Sequence, residues 1–254
     1  MNRFLCALAA FSLLALAFAA PALGREGDQS GDYVAAGGSV EPPADVDGDL
    51  YAAGGNILVR QRVEGDTVFA GGNVTLQGKV RDDVYAAGGS VLLNGEIGGD
   101  VRAAGGHVTL SPDAEIQGRA QFYGANIDVR GRVGKDLKAV GEVVRLGGEV
   151  QGDADLTARE VEILPTAKIS GKLTYRSPHQ AKIDPAAQIL GGVAYSAMEM
   201  ERGAAVAGRV AGAIGAFLLL AGLMALGGIL LVAFPDFTRA AAGTIGSDPG
   251  KSLA

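Results

Sequence analysis

Cysteine is almost missing from this chain. Cys6 is the single one in 254 residues, so the sequence supplies neither a disulfide framework nor a cysteine metal site. Tryptophan is absent and aromatic residues make up 6%, which argues against a conventional ring-filled core and a carbohydrate cleft lined by aromatics. Basic charge is also short: 22 Lys and Arg against 28 Asp and Glu leave a net charge of −6. Nucleic acid would want a basic face, and this composition gives no such footprint. No phosphate loop, nucleophile elbow or metal-ligand cluster is found.

Glycine is what the chain has in excess, 40 residues of it, and it recurs with a period. The stretch Asp83-Val84-Tyr85-Ala86-Ala87-Gly88-Gly89-Ser90-Val91 is one copy of a repeat. Starts fall at Asp32, Asp49, Asp66, Asp83, Asp100, Arg119, Asp136, Asp153 and Lys172, separated by 17 residues except for two 19-residue steps, at Asp100–Arg119 and Asp153–Lys172. So short a period is the mark of a solenoid.

Eight residues after each start, from Val40 to Val161, stands a β-branched apolar residue, among them Val74, Val91 and Val108. Two further on come Leu76, Leu93 and Leu110, with Pro42 the exception, and Ile97 belongs to a third apolar column. Alternation of this kind is strand periodicity with both side chains on one face, so these seven residues are expected in the core. The Gly-Gly pairs and the Gly before most Asp starts mark corners. The expected fold is all-β: a parallel β-helix of three short strands per coil, eight coils and roughly 40 Å at about 4.8 Å per coil. The 19-residue units place their extra residues at Pro112 and Pro165, which belong at a bulged corner, and Pro185 repeats the pattern in the last coil.

One coil offers about five inward side chains, worth roughly 1.5–3 kcal/mol each when buried. Ordering its backbone costs about 1–2 kcal/mol per residue. A lone coil therefore cannot fold, and stacking is obligatory. Pro42 and Pro43 blunt the first edge, and the pattern degrades at Tyr175 to His179 before returning at Ala181-Lys182-Ile183.

Outside the repeats the chain divides by composition. Residues 1–24 read as a secretory signal peptide, with Arg3, an apolar run and the small-x-small site Ala22-Leu23-Gly24; an uncleaved anchor is the alternative. Residues 25–31 are a linker, 32–196 the solenoid and 197–209 a juxtamembrane connector. Val210 to Phe234 holds 25 residues without a charge, enough to span a bilayer, and 235–254 are expected to be a cytoplasmic tail. A buried soluble helix is the alternative for 210–234. The ending Asp248 to Ala254 reads as the start of another element, before further membrane helices. The solenoid is then expected on the extracytoplasmic side of a membrane.

Two features invite chemistry. The Asp column, with Asp49, Asp66, Asp83 and Asp100 one strand spacing apart, would let a cation such as Ca²⁺ bridge neighbours. The plainer reading is a turn residue bonded to its own backbone. His107 is the one candidate acyltransferase-type base, and it lacks partners in the sequence. No catalytic residue, cofactor or enzymatic activity is expected.

The unit Asp-Val-Tyr-Ala-Ala-Gly-Gly-Ser-Val-x-Leu-x-Gly at Asp83–Gly95, with Leu173-Thr174-Tyr175-Arg176-Ser177-Pro178, resembles the bacterial polymer-forming cytoskeletal, or bactofilin-like, family. The resemblance is to its membrane-associated branch and covers about Asp32 to Ala254. It implies a signal peptide, a β-helix, several membrane helices and filament formation. Three functions follow: a membrane-anchored envelope scaffold that self-associates through the β-helix ends, a module binding envelope glycan or a partner protein, and, last, a β-helix acyltransferase or lyase.

Overall fold

Apolar residues alternate with outward ones on both sides of each glycine pair, and this pattern becomes one long strand per repeat. The computed structural model describes residues 31–198. The long strands are β1 (Tyr33–Val40), β2 (Leu50–Val59), β3 (Thr67–Leu76), β4 (Val84–Leu93), β6 (Val101–Leu110), β8 (Ala120–Val129), β10 (Leu137–Leu146) and β12 (Ala154–Ile163). The last two turns use β14 (Leu173–Ser177), β15 (Lys182–Ile183) and β17 (Val193–Ala197). Two-residue strands form the remaining side: β5 (Glu96–Ile97), β7 (Glu115–Ile116), β9 (Arg132–Val133), β11 (Glu149–Val150), β13 (Lys168–Ile169) and β16 (Gln188–Ile189).

All pairing is parallel. One sheet runs β1-β2-β3-β4-β6-β8-β10-β12-β14-β17, with β15 on β12, and the other β5-β7-β9-β11-β13-β16. Single bridges Val46–Val63, Val63–Val80 and Val80–Ile97 continue the second sheet toward the first turn. The chain is therefore a β-solenoid of about ten turns, with coils of about 17 residues. Eight coils were expected, two fewer than are found. The last turn starts at Gly192, a residue without the charge that marks the other starts.

The glycine pair does not separate two strands as the sequence suggests. In β4 the buried residues are Val84 and Ala86, then Val91 and Leu93, so the inward parity switches across Gly88-Gly89. Pairing continues through the switch: Gly71 faces Gly88 and Asn73 faces Ser90, and only the second glycine of each pair drops out of register. The strand bends there without breaking. These glycines serve close approach, since a Cβ on Gly54 would lie 2.3 Å from the carbonyl oxygen of Gly37.

Stacked columns fill the interior. Val74, Leu76, Val91, Leu93, Ile97, Val108 and Leu110 are all buried. A further column, not read from the sequence, runs Ala52, Phe69, Ala86, Ala103, Phe122, Ala139. Each phenylalanine is stacked between alanines of the adjoining turns, so large and small side chains interlock as packing density demands. Each proline insertion is a tight turn. The N–H groups of Ala114, Ala167 and Ala187 bond the carbonyls of Ser111, Leu164 and Asp184 at 3.0 Å, which puts Pro112, Pro165 and Pro185 at the second turn position, where a fixed φ fits.

Beyond the described residues lie the expected signal peptide at 1–24 and the apolar segment Val210–Phe234. Among the described residues no helix is long and apolar enough to cross a membrane.

Candidate functional site

The aspartate column lies at the corner where one turn ends and the next long strand begins. There the position-0 carbonyl joins the backbone ladder, as in Leu50 N–H to Asp66 O, but the N–H beside it meets no carbonyl. The carboxylate of the turn below supplies the acceptor. Asp32, Asp49, Asp66, Asp83 and Asp100 each direct Oδ1 at the backbone N–H one turn on, that of Asp49, Asp66, Asp83, Asp100 and Arg119 respectively. Asp136 and Asp153 do the same for Asp153 and Lys172, and all seven distances fall between 2.7 and 3.0 Å. The turn reading expected each Asp to bond its own corner. The structure instead makes the column a staple between turns.

Glycine precedes most of these aspartates because the carboxylate below needs the space. A Cβ on Gly65, Gly99, Gly118, Gly152 or Gly171 would lie 2.3–2.4 Å from an Oδ1, and closer than 3.0 Å to backbone as well. Asp82 and Lys135 are the side chains that stand at this position instead. Asp82 adds its charge beside Asp66, whose carboxyl is pushed above 3.8, first by desolvation and then by Asp49, Asp83 and Asp82; the Asp83 N–H opposes the rise.

Two of the ladder's second oxygens take a tyrosine hydroxyl from the half of the long strand before the glycine pair, the first of three sides; the half after the pair is the second, and the two-residue strands form the third. The Tyr51 hydroxyl donates to Asp49 Oδ2 at 3.2 Å, and burial, followed by Asp49, pushes that phenol up to about 12. Tyr85 donates to Asp83 Oδ2 at 3.4 Å. Arg102 donates to the Tyr85 hydroxyl and lies 5.4 Å from its ring centroid. Among the described residues no group of three or more His, Cys, Asp or Glu is arranged to hold a metal ion. The structure therefore stacks Asp49, Asp66, Asp83 and Asp100 as the sequence requires, but with one oxygen of each directed at backbone.

The three sides differ outside. On the first, the outward residues of the early turns are Val34, Tyr51, Val68 and Tyr85, beside Ala36, Ala53, Ala70 and Ala87. The same columns turn polar further on, at Arg102, Gln121, Lys138 and Asp155. The third side is lined with ion pairs, including Lys79–Glu96 at 2.7 Å and Arg132–Glu149 at 3.3 Å. Such exposed pairs hold little stability but leave that side neutral.

His107 lies exposed on the second side, its Nε2 3.5 Å from the Asn126 amide nitrogen. Arg119 occupies the ladder position of its turn, beside a hollow of about 290 Å³ lined by Gln121, Asp136, Lys138 and Asp153 among others. The missed features share one cause. They arise between turns, and the signals were Arg119 in an aspartate column and Lys135 in a glycine column.

No family model, no curated protein and no solved structure matches this chain.

Proposed function

We propose that the chain is a membrane-anchored, extracytoplasmic scaffold of the cell envelope that self-associates through the ends of its solenoid. The observation that carries this reading is the state of the terminal strands. Among the described residues β17 pairs only with β14 and β1 only with β2, so within residues 31–198 each end presents a row of unpaired backbone groups. Beside β17 the last turn exposes apolar surface, with Leu190 79% exposed and Val193 and Tyr195 open to solvent. The anchor rests on the uncharged stretch Val210–Phe234, and the envelope location on the signal-like residues 1–24. The resemblance to bactofilin-like repeats points the same way. Electron microscopy of residues 32–196 tests it: elongated end-to-end particles are expected, and single rods at high concentration count against assembly.

The outer surface of the first side favours a second reading. Tyr51, Val68 and Tyr85 with their alanine neighbours form an uncharged strip suited to an envelope glycan or a partner protein. Pull-down on isolated envelope material distinguishes the two, because a strip variant such as Tyr51→Lys should abolish retention only under the binding reading.

A further inference from the structure

Seven corner N–H groups are held by a carboxylate from the turn below, and Asp136 breaks the series. The residue below it is Arg119, which offers no acceptor, and no described group accepts the Asp136 N–H. Gly192, above Lys172, also has no carboxylate beneath it, but its φ of 81° takes it out of the corner conformation. Asp136 keeps an ordinary φ, since positive values occur among the described residues only at Gly31 and Gly192. Its amide therefore still sits in a corner built for a carboxylate.

The surroundings supply two cations, set among three carboxylates. The hollow of about 290 Å³ at this corner is lined by Arg119 and Gln121 of one turn, Asp136 and Lys138 of the next, and Asp153 and Asp155 of the turn beyond. Neither cation makes an ion pair among the described residues. The acidic groups nearby are already engaged: Asp136 Oδ1 takes the N–H of Asp153, Asp153 Oδ1 that of Lys172, and Asp155 is held by Arg176 at 2.8 and 2.9 Å. A donor amide with two unpaired cations in a concave site is the chemistry that selects a small anion.

We propose that this hollow binds a small carboxylate, seated where neighbouring turns place their own aspartate carboxyl. One oxygen accepts the Asp136 N–H, and Arg119 and Lys138 are the cations that line its seat. The site is open and the ligand group has few atoms, so half-saturation falls on the order of millimolar. The site does not depend on the scaffold reading, since it is built from one turn's departure from the repeat.

The test is a titration of the ¹⁵N-labelled full chain with acetate, against chloride at matched ionic strength, followed by amide chemical shifts. The Asp136 amide should move saturably and further than those of Asp153 and Lys172, which already have their carboxylates. Arg119→Ala should weaken the response several-fold. The pair Arg119→Asp with Lys135→Gly rebuilds the aspartate and its accompanying glycine, and should abolish the response with the other amides in place. An Asp136 amide that follows chloride as closely as acetate overturns the proposal, and so does an undiminished response in the paired variant.

Discussion

The carboxylate of Asp66 accepts the backbone N–H of Asp83, one full turn further along the chain, at 3.0 Å. The bond joins two residues 17 apart and recurs up the solenoid, so the corner is stapled by side chains where the backbone ladder leaves a gap. Burying part of this column and stacking its charges has a cost, which shows at Asp66.

Asp66 titrates above 3.8, chiefly through desolvation. The folded state thus holds the proton more tightly than the unfolded chain. Its contribution to stability is fully present below pH 3.8 and is lost as pH rises through the raised value. Asp66→Asn keeps an oxygen for the Asp83 N–H and removes the charge. Urea unfolding should find this variant more stable than the parent at neutral pH, with the gap closing as pH falls through the raised value toward 3.8. A less stable variant at neutral pH would mean that the charge is needed for the staple.

Two glycines of the same sequence should respond to very different degrees. A Cβ on Gly99 would lie 2.4 Å from Asp83 Oδ1 and 2.6 Å from backbone of Asp82, whereas one on Gly38 meets nothing within 4 Å. Gly99→Ala is expected to cost about 1–3 kcal/mol and Gly38→Ala less than about 0.5 kcal/mol, read from denaturation midpoints.

Thr67 is fully buried, and its Oγ1 has no hydrogen-bond partner. It occupies a column in which adjoining turns place Leu50 and Val84. Thr67→Val replaces the hydroxyl by a methyl of similar size, and a gain of about 1 kcal/mol is expected from the same unfolding measurement. A loss would show that the hydroxyl has an acceptor in solution.

Phe122 is stacked between Ala103 and Ala139, side chains too small to close a gap. Phe122→Ala should therefore cost about 3–5 kcal/mol, near the upper end for a core truncation, and Phe122→Leu much less. Equal effects of the two would mean that the alanine column relaxes freely.

How much of this was legible follows from where each feature is encoded. The solenoid could be read because Val74, Val91 and Val108 repeat one choice at one spacing, and registers of parallel strands follow directly from such columns. The corner prolines were readable for the same reason. The staple was not, because an aspartate that bonds its own turn and one that bonds the next turn look alike in sequence. The bend through Gly88-Gly89 was misread as a break because glycine signals both a corner and a close approach, and only backbone distances separate them. Phe69 and Phe122 escaped notice since their column is mostly alanine, which carries little periodic signal.

Self-association through the solenoid ends is tested most directly by sedimentation velocity of residues 32–196 over a concentration series, beside Leu190→Lys/Val193→Lys. Growth of the parent into larger species with concentration, and a single small species for the variant, is the expected result. A parent that stays a single small species at every concentration would contradict a scaffold built end to end.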